Sequence, residues 1–89
     1  MSTDIRQQIK LMPKLPGCYQ YFDKTGEIIY IGKAKNLYNR VNSYFIGKKD
    51  SPKLQVMVPQ IVRVECIVVN SEVEALILES ELIKKYKPK

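Results

Sequence analysis

Six side chains between residues 17 and 45 have the chemistry to handle a phosphate, and they lie close together in sequence. Tyr19 and Tyr30 carry phenols, Lys33 and Arg40 carry cations, and Asn36 and Tyr44 carry neutral hydrogen-bonding groups. Gly17 and Gly32 accompany them. A bare scaffold would fill such positions with aliphatics. The 89-residue chain has no histidine, which removes the usual general base, the usual zinc ligand and any Ser-His or Cys-His triad. Chemistry here must use Tyr, Lys, Arg, Glu or Asp.

The elements that position these groups follow from the local pattern. Residues 18–22 are a β-prone run, residues 23–26 are a hairpin turn with Gly26, and residues 28–31 form a second strand that ends at Gly32. The two strands pair antiparallel. Residues 36–45 form a helix with Leu37, Val41 and Phe45 toward the core. Asn36, Arg40 and Tyr44 repeat at the same interval one step around it. Before this unit, residues 3–12 form a helix capped by Ser2 or Thr3 and closed by Pro13. After it, residues 47–50 are a solvated loop, and Ser51 and Pro52 open a short helix that Pro59 limits. Residues 62–69 form a third strand with Val62, Val64, Cys66 and Val68 on one face. Ser71 and Glu74 make a capping box for a last helix running to about residue 85. The expected fold is an α/β (α+β) domain with a small, mainly antiparallel three-stranded sheet flanked by helices, in the order α-β-β-α-α-β-α.

At this length the chain is one domain over residues 1–89. Fifteen Lys and Arg against nine Asp and Glu give a net charge of +6, which favours an anionic partner, nucleic acid being the commonest. Cys18 and Cys66 make no metal-ligand pattern. The sequence has neither a signal peptide nor an 18-residue apolar run. A monomer in the reducing cytoplasm, away from membranes, is expected.

The last helix carries one out-of-place charge. Ala75, Leu76, Leu78, Leu82, Ile83 and Tyr86 span a broad apolar arc, and Glu79 falls near its middle. A carboxylate there is costly unless something compensates it. Three arrangements would do so: a salt bridge to Lys or Arg, a rim position open to water, or a divalent cation held by this carboxylate plus waters.

Taken together, Gly17, Cys18 and Tyr19 followed by Tyr30, Ile31 and Gly32 resemble the GIY-YIG nuclease signature, with Cys18 at the isoleucine position. The run from Leu15 to Tyr19, the run from Ile29 to Leu37, Arg40, Tyr44, and Glu74 through Glu79 into Tyr86 are more narrowly similar to the N-terminal domain of the UvrC family of bacterial nucleotide excision repair. This resemblance implies the GIY-YIG fold and a metal-dependent endonuclease that cuts damaged double-stranded DNA on the 3′ side of a lesion. It implies Tyr19 and Tyr30 as the motif tyrosines, Gly32 closing the second motif, and Lys33, Arg40 and Tyr44 as a basic wall. It makes Glu79 the ligand of a divalent cation, Mg²⁺ or Mn²⁺, and UvrB a partner through other parts of a longer protein. The family's active-site asparagine lies past the position of Lys89, so this stretch is expected to be a domain excised from a longer chain, with low or no activity alone.

On this reading Tyr30 is the base or water-positioning group, with Tyr19 next to it. Running a phenol at neutral pH needs its pKa lowered by about three from ~10, roughly 4 kcal/mol. Lys33, Arg40 and a metal ion are the available sources of positive charge. Arg40 clamps the scissile phosphate, Tyr44 bonds to it, and Asn36 orients a neighbour. Lys10, Lys48, Lys49, Lys53, Lys84 and Lys85 are read as generic backbone contacts or solubility charges. Competing readings are a catalytically silent DNA-binding module of the same fold, a stand-alone repair nuclease or homing endonuclease, and a protein-interaction domain whose charge is incidental. The stretch from Gly32 to Leu37 argues against the homing type.

Overall fold

The structure is a computed structural model and describes residues 5–46 and 51–87. The elements run α1 (Ile5–Lys10), β1 (Gly17–Phe22), β2 (Ile28–Ala34), α2 (Leu37–Ile46), α3 (Pro52–Met57), β3 (Arg63–Val68) and α4 (Glu72–Tyr86), with a 3-10 turn, Val58–Gln60, after α3. This is the expected order. The expected caps Ser2 and Thr3, the loop at 47–50 with Lys48 and Lys49, and the C-terminal Lys89 lie outside the described residues.

The hairpin forms because Asp23 organises its turn: Oδ1 accepts from the Thr25 and Glu27 backbone N–H groups at 2.9 and 3.2 Å. The sheet order is β2-β1-β3, and both pairings are antiparallel. β1 is therefore central and is buried along its whole length, while β2 and β3 are edges. β2 continues three residues past the expected end at Ile31, because Gly32, Lys33 and Ala34 pair with Tyr19, Cys18 and Gly17. Gly32 is a strand residue here rather than a terminator.

Alternation along β1 divides the core into two layers. Tyr19 and Tyr21 face a cluster with Ile9, Leu37, Val41, Met57, Val58, Ile61 and Val64. Cys18 faces the other way, with Ile31, Ala75 and Leu82. α1, α2 and α3 cover the first face, and α4 covers the second. Leu37 and Val41 are fully buried, each contributing about 1.5–3 kcal/mol of apolar burial.

The ends of α4 match the expected caps with one adjustment. Ser71 Oγ accepts from the Glu74 N–H at 3.2 Å, but the Glu74 carboxylate reaches back to Asn70 N–H at 3.1 Å, one residue earlier than a reciprocal box. The apolar arc of α4 is narrower than its sequence suggests: Leu76, Ile83 and Tyr86 are exposed, whereas Ala75 and Leu82 are buried. α4 lies over β1 and β2 and leaves β3 uncovered on that face, so Ile67 stays 40% exposed. Val62 and Val68 are likewise exposed, so only Val64 and part of Cys66 realise the apolar face expected of β3.

Gly17 is where β1, β3 and α2 come closest. A Cβ there would overlap the Ile67 carbonyl oxygen and sit 2.9 Å from Leu37 Cδ1. Backbone cannot move aside as a side chain tip can. Gly17→Ala is expected to destabilise the chain by about 1–3 kcal/mol, read from the midpoint of denaturant unfolding. An unchanged midpoint would remove this steric account.

Candidate active site

The sheet brings the phenols together first. Tyr19 and Tyr21 on β1, Tyr30 on β2 and Tyr44 on α2 form one cluster, with ring centroids between 5.2 and 6.2 Å apart. Tyr19 lies directly across from Gly32, and a Cβ on Gly32 would overlap the end of the Tyr19 ring. The missing side chain lets the ring lie flat over the strand and hold its hydroxyl in place.

That hydroxyl shares a hydrogen bond with Tyr44 Oη at 2.8 Å. The Arg40 guanidinium stands 5.8 Å from the Tyr44 ring centre, and its positive charge works to lower the pKa of the Tyr19 hydroxyl. The Tyr44 ring lies 6.2 Å from that of Tyr30, centre to centre. The result is a cluster of polar groups: half-buried Tyr30 and Tyr44, buried Tyr19 and exposed Arg40. Arg40 and Tyr44 belong to the helix stripe expected from sequence. Asn36, the third member, is the cap of α2: its Oδ1 accepts from Asn39 N–H at 3.0 Å, leaving its amide N–H groups as donors.

Burial dominates the protonation of these groups. It pushes the Tyr30 hydroxyl up to about 12, with Tyr44 also raising it and Arg40 working against both. Tyr44 is likewise pushed up to about 12. Tyr19 is raised by burial despite its bond to Tyr44 and the charge of Arg40, and Tyr21 is raised by burial as well. Arg40 lowers Tyr30 as expected, but desolvation outweighs the guanidinium, and Lys33 bears on a different group. Lys33 lies opposite Cys18 and bears on the Cys18 thiol, which burial and Glu79 push up to about 11.

Glu79 comes from the opposite layer. Its residue is half-buried on α4, and its charge raises both Tyr30 and Cys18. Tyr30 stands on the free edge strand, which α4 packs across on the other face. The two ion pairs among the described residues are Lys35–Glu72 and Arg63–Glu65, and Glu79 is in neither. Among the described residues no three His, Cys, Asp or Glu side chains cluster as a metal cage. A lone carboxylate without a cationic partner fits a hard cation that keeps most of its waters.

A groove of about 520 Å³ opens at the end of β2. Lys33, Asn36 and Arg40 line it, with Glu72 and Ala75 of α4 on the far wall. The tyrosines and Glu79 do not line it, although Ala75 is one turn before Glu79. Lys35, Asn39 and Ser43 also line it; none of the three has an expected role from sequence. Asn36, Asn39, Arg40 and Ser43 follow an i, i+3, i+4, i+7 pattern, a polar helix face visible in the sequence.

The family model for the UvrC-like GIY-YIG domain matches residues 15–89. The chain belongs to the UvrC-like GIY-YIG family. UvrABC system protein C of Christiangramia forsetii is 55% identical over 82 residues, covering 92% of this chain and 14% of that protein. The Streptococcus pneumoniae protein of the same name is 53% identical over 89 residues, covering 100% of this chain and 14% of its own length. The chain thus spans about one seventh of the curated relatives it matches. The GIY-YIG N-terminal endonuclease domain of UvrC from Thermotoga maritima, solved bound to its catalytic divalent cation, magnesium, superposes with a TM-score of 0.85 at 46% identity, covering 100% of this chain and 97% of that one. Point mutants of that domain with a tyrosine changed to phenylalanine, also bound to the cation, match equally well. No helix among the described residues of this UvrC-like domain is long and apolar enough to cross a membrane.

Two outcomes follow from the phenol cluster. Tyr30 and Tyr44 titrate near 12 when folded and near ~10 when unfolded. Above the unfolded value the unfolded chain loses these protons first, so stability present below pH ~10 falls as pH rises through about 12. Denaturant midpoints from about pH 9 to about 12 should drop, with phenolate absorbance lagging that of free tyrosine; a flat profile contradicts the burial. Second, Tyr21 Oη is buried with no hydrogen-bond partner among the described residues. An unsatisfied buried hydroxyl costs about 1–3 kcal/mol, so Tyr21→Phe should keep or raise the melting temperature, and a clear drop would show an unrecognised partner.

Proposed function

We propose that this chain is the nuclease domain of a longer UvrC-like protein, hydrolysing a DNA phosphodiester on the 3′ side of a lesion in the UvrABC system. The observation that carries this reading is the meeting of unlike groups at the edge of β2. Tyr19, Tyr30 and Tyr44 pack as one cluster, Tyr19 is hydrogen-bonded to Tyr44, Arg40 stands beside the Tyr44 ring, and Glu79 is half-buried with no ion-pair partner among the described residues.

Phosphodiester hydrolysis needs a positioned water, neutralisation of charge on the phosphoryl oxygens and help for the leaving 3′-oxygen. Glu79 would hold Mg²⁺ or Mn²⁺. When bound, that cation supplies positive charge that stabilises the developing phosphoryl charge and acidifies neighbouring hydroxyls. Tyr30, on the free edge strand, positions the attacking water and serves as its base once its hydroxyl is acidified. Tyr44 orients Tyr30, and Tyr19 orients Tyr44 and Arg40. Arg40 clamps the scissile phosphate, with a planar fork of donors suited to it. Gly32 leaves the strand low enough for the Tyr19 ring. Lys33 adds positive potential, and Asn36 offers its amide N–H groups to the strand being cut. The substrate is damaged double-stranded DNA, delivered by UvrB through parts of the protein that this chain does not span. The domain acts as a monomer in the cytoplasm.

With this chain rejoined to the rest of a UvrC-like protein, Arg40→Ala should lower the 3′ incision rate about 10²–10³-fold, the scale of removing one transition-state donor. Glu79→Gln should abolish divalent-cation binding in a direct metal titration and abolish incision with it. Undiminished cutting by Arg40→Ala, or an unchanged titration with Glu79→Gln, would sink the respective assignment and favour a catalytically silent DNA-binding module.

A further inference from the structure

The groove at the end of β2 holds more cationic and amide groups than one scissile phosphate needs. Lys33, Lys35 and Arg40 face one carboxylate, Glu72, across it, and its volume of about 520 Å³ lies within the range of small-ligand clefts, about 300–1,000 Å³. Arg40 both lines the groove and stands 5.8 Å from the Tyr44 ring centre, so the groove is continuous with the candidate active site. Asn36 has its amide N–H groups available, since its oxygen is taken by Asn39 N–H. Ser43 does not add a donor, because its hydroxyl gives its hydrogen to the Arg40 carbonyl at 2.6 Å.

Lys35 is the telling residue. Its Nζ is 3.4 Å from Glu72 Oε1, with the two side chains 83% and 58% exposed. An ion pair so exposed is held weakly. Glu72 is also dispensable to the end of α4, since Ser71 and Glu74 make that cap. A polyanion entering the groove thus meets a cation whose present partner is easily displaced, and a carboxylate whose negative charge opposes its entry.

We propose that this groove is a docking subsite for the DNA phosphodiester backbone flanking the scissile phosphate. Lys35 exchanges Glu72 for the neighbouring phosphate, and Glu72 acts as the competing anion that weakens binding of the undocked strand. The inference rests on the nuclease reading and extends the substrate path of the same site by one phosphate.

The test is binding of a short double-stranded DNA oligonucleotide to the chain by fluorescence anisotropy across a salt series. Lys24→Ala, at the hairpin tip away from the groove, controls for loss of generic charge, and thermal unfolding checks that each variant is folded. Lys35→Ala should flatten the slope of log affinity against log salt by about 0.9, the loss of one phosphate contact. It should also weaken binding at low salt by about two- to fivefold, the scale of one exposed ionic contact. Glu72→Gln should tighten binding by a similar factor, which a purely structural role for the Lys35–Glu72 pair would not produce. An unchanged slope with Lys35→Ala, a loss equal to that of Lys24→Ala, or no tightening with Glu72→Gln overturns the subsite. The two readings fail separately. Loss of the slope effect with Arg40-dependent incision intact removes only the subsite. A persistent slope effect with incision indifferent to Arg40 and Glu79 removes only the nuclease reading.

Discussion

The Tyr19 ring lying over the bare backbone of Gly32 is the contact on which the rest of the molecule depends. It occurs at a directly opposed pair in the β1–β2 ladder, where a Cβ on either strand's neighbour would normally keep an aromatic ring upright. With no Cβ there, the ring lies down and its hydroxyl lands within 2.8 Å of Tyr44. That placement closes the aromatic cluster against α2 and brings the Tyr19 hydroxyl to the helix that carries Arg40. It also explains why β2 runs on through Gly32 instead of stopping there: the aromatic packing across the pair compensates for what glycine lacks in strand propensity.

Burying several phenols together has an electrostatic consequence. Desolvation favours the neutral form of each, and neighbouring phenols raise Tyr21, Tyr30 and Tyr44 through their charge, while the Tyr44 hydrogen bond lowers Tyr19. Arg40 opposes this but is itself exposed to water, where its field is screened. The protein alone therefore keeps the phenols protonated near neutral pH, as a packed cluster in which Tyr19 and Tyr44 share a hydrogen bond. Positive charge beyond Arg40 is what would make one of them basic; in the proposed mechanism Glu79 is the carboxylate that would recruit it.

The architecture is economical for so short a chain. A three-stranded sheet with helices on both faces yields two thin layers of core, and its central strand is buried on both sides. The cost is incomplete cover. α4 reaches β1 and β2 but leaves the outer face of β3 open, so Ile67, Leu76 and Ile77 remain exposed. The same geometry is useful at the other edge. β2 is free on one side, and there groups from both layers, Tyr30 and Arg40 from one and Lys33 and Glu79 from the other, come within electrostatic reach.

The element order, the hairpin, the core stripe Leu37–Val41–Phe45 and the capped start of α4 were all readable in the sequence. They rest on interactions between residues a few positions apart, and the residues that make them are adjacent in the text. The grouping of Tyr19, Tyr30, Arg40 and Tyr44 was also readable, because one hairpin and the helix after it carry all four. Three things needed the folded chain. Glu79 looked central to a broad buried arc, but the width of that arc depends on how far α4 extends over a sheet whose strand order no local pattern reveals. Asn36 looked like a site residue through its whole amide, but the start of α2 claims its oxygen as a cap and leaves only its N–H groups to the groove. Lys35, Asn39 and Ser43 acquire meaning only beside Glu72, which lies on the far layer. Local sequence determined which side chains are available and how each element presents them. Tertiary packing decided which meet and which stay protonated, because desolvation and charge act through space between residues that the sequence keeps far apart.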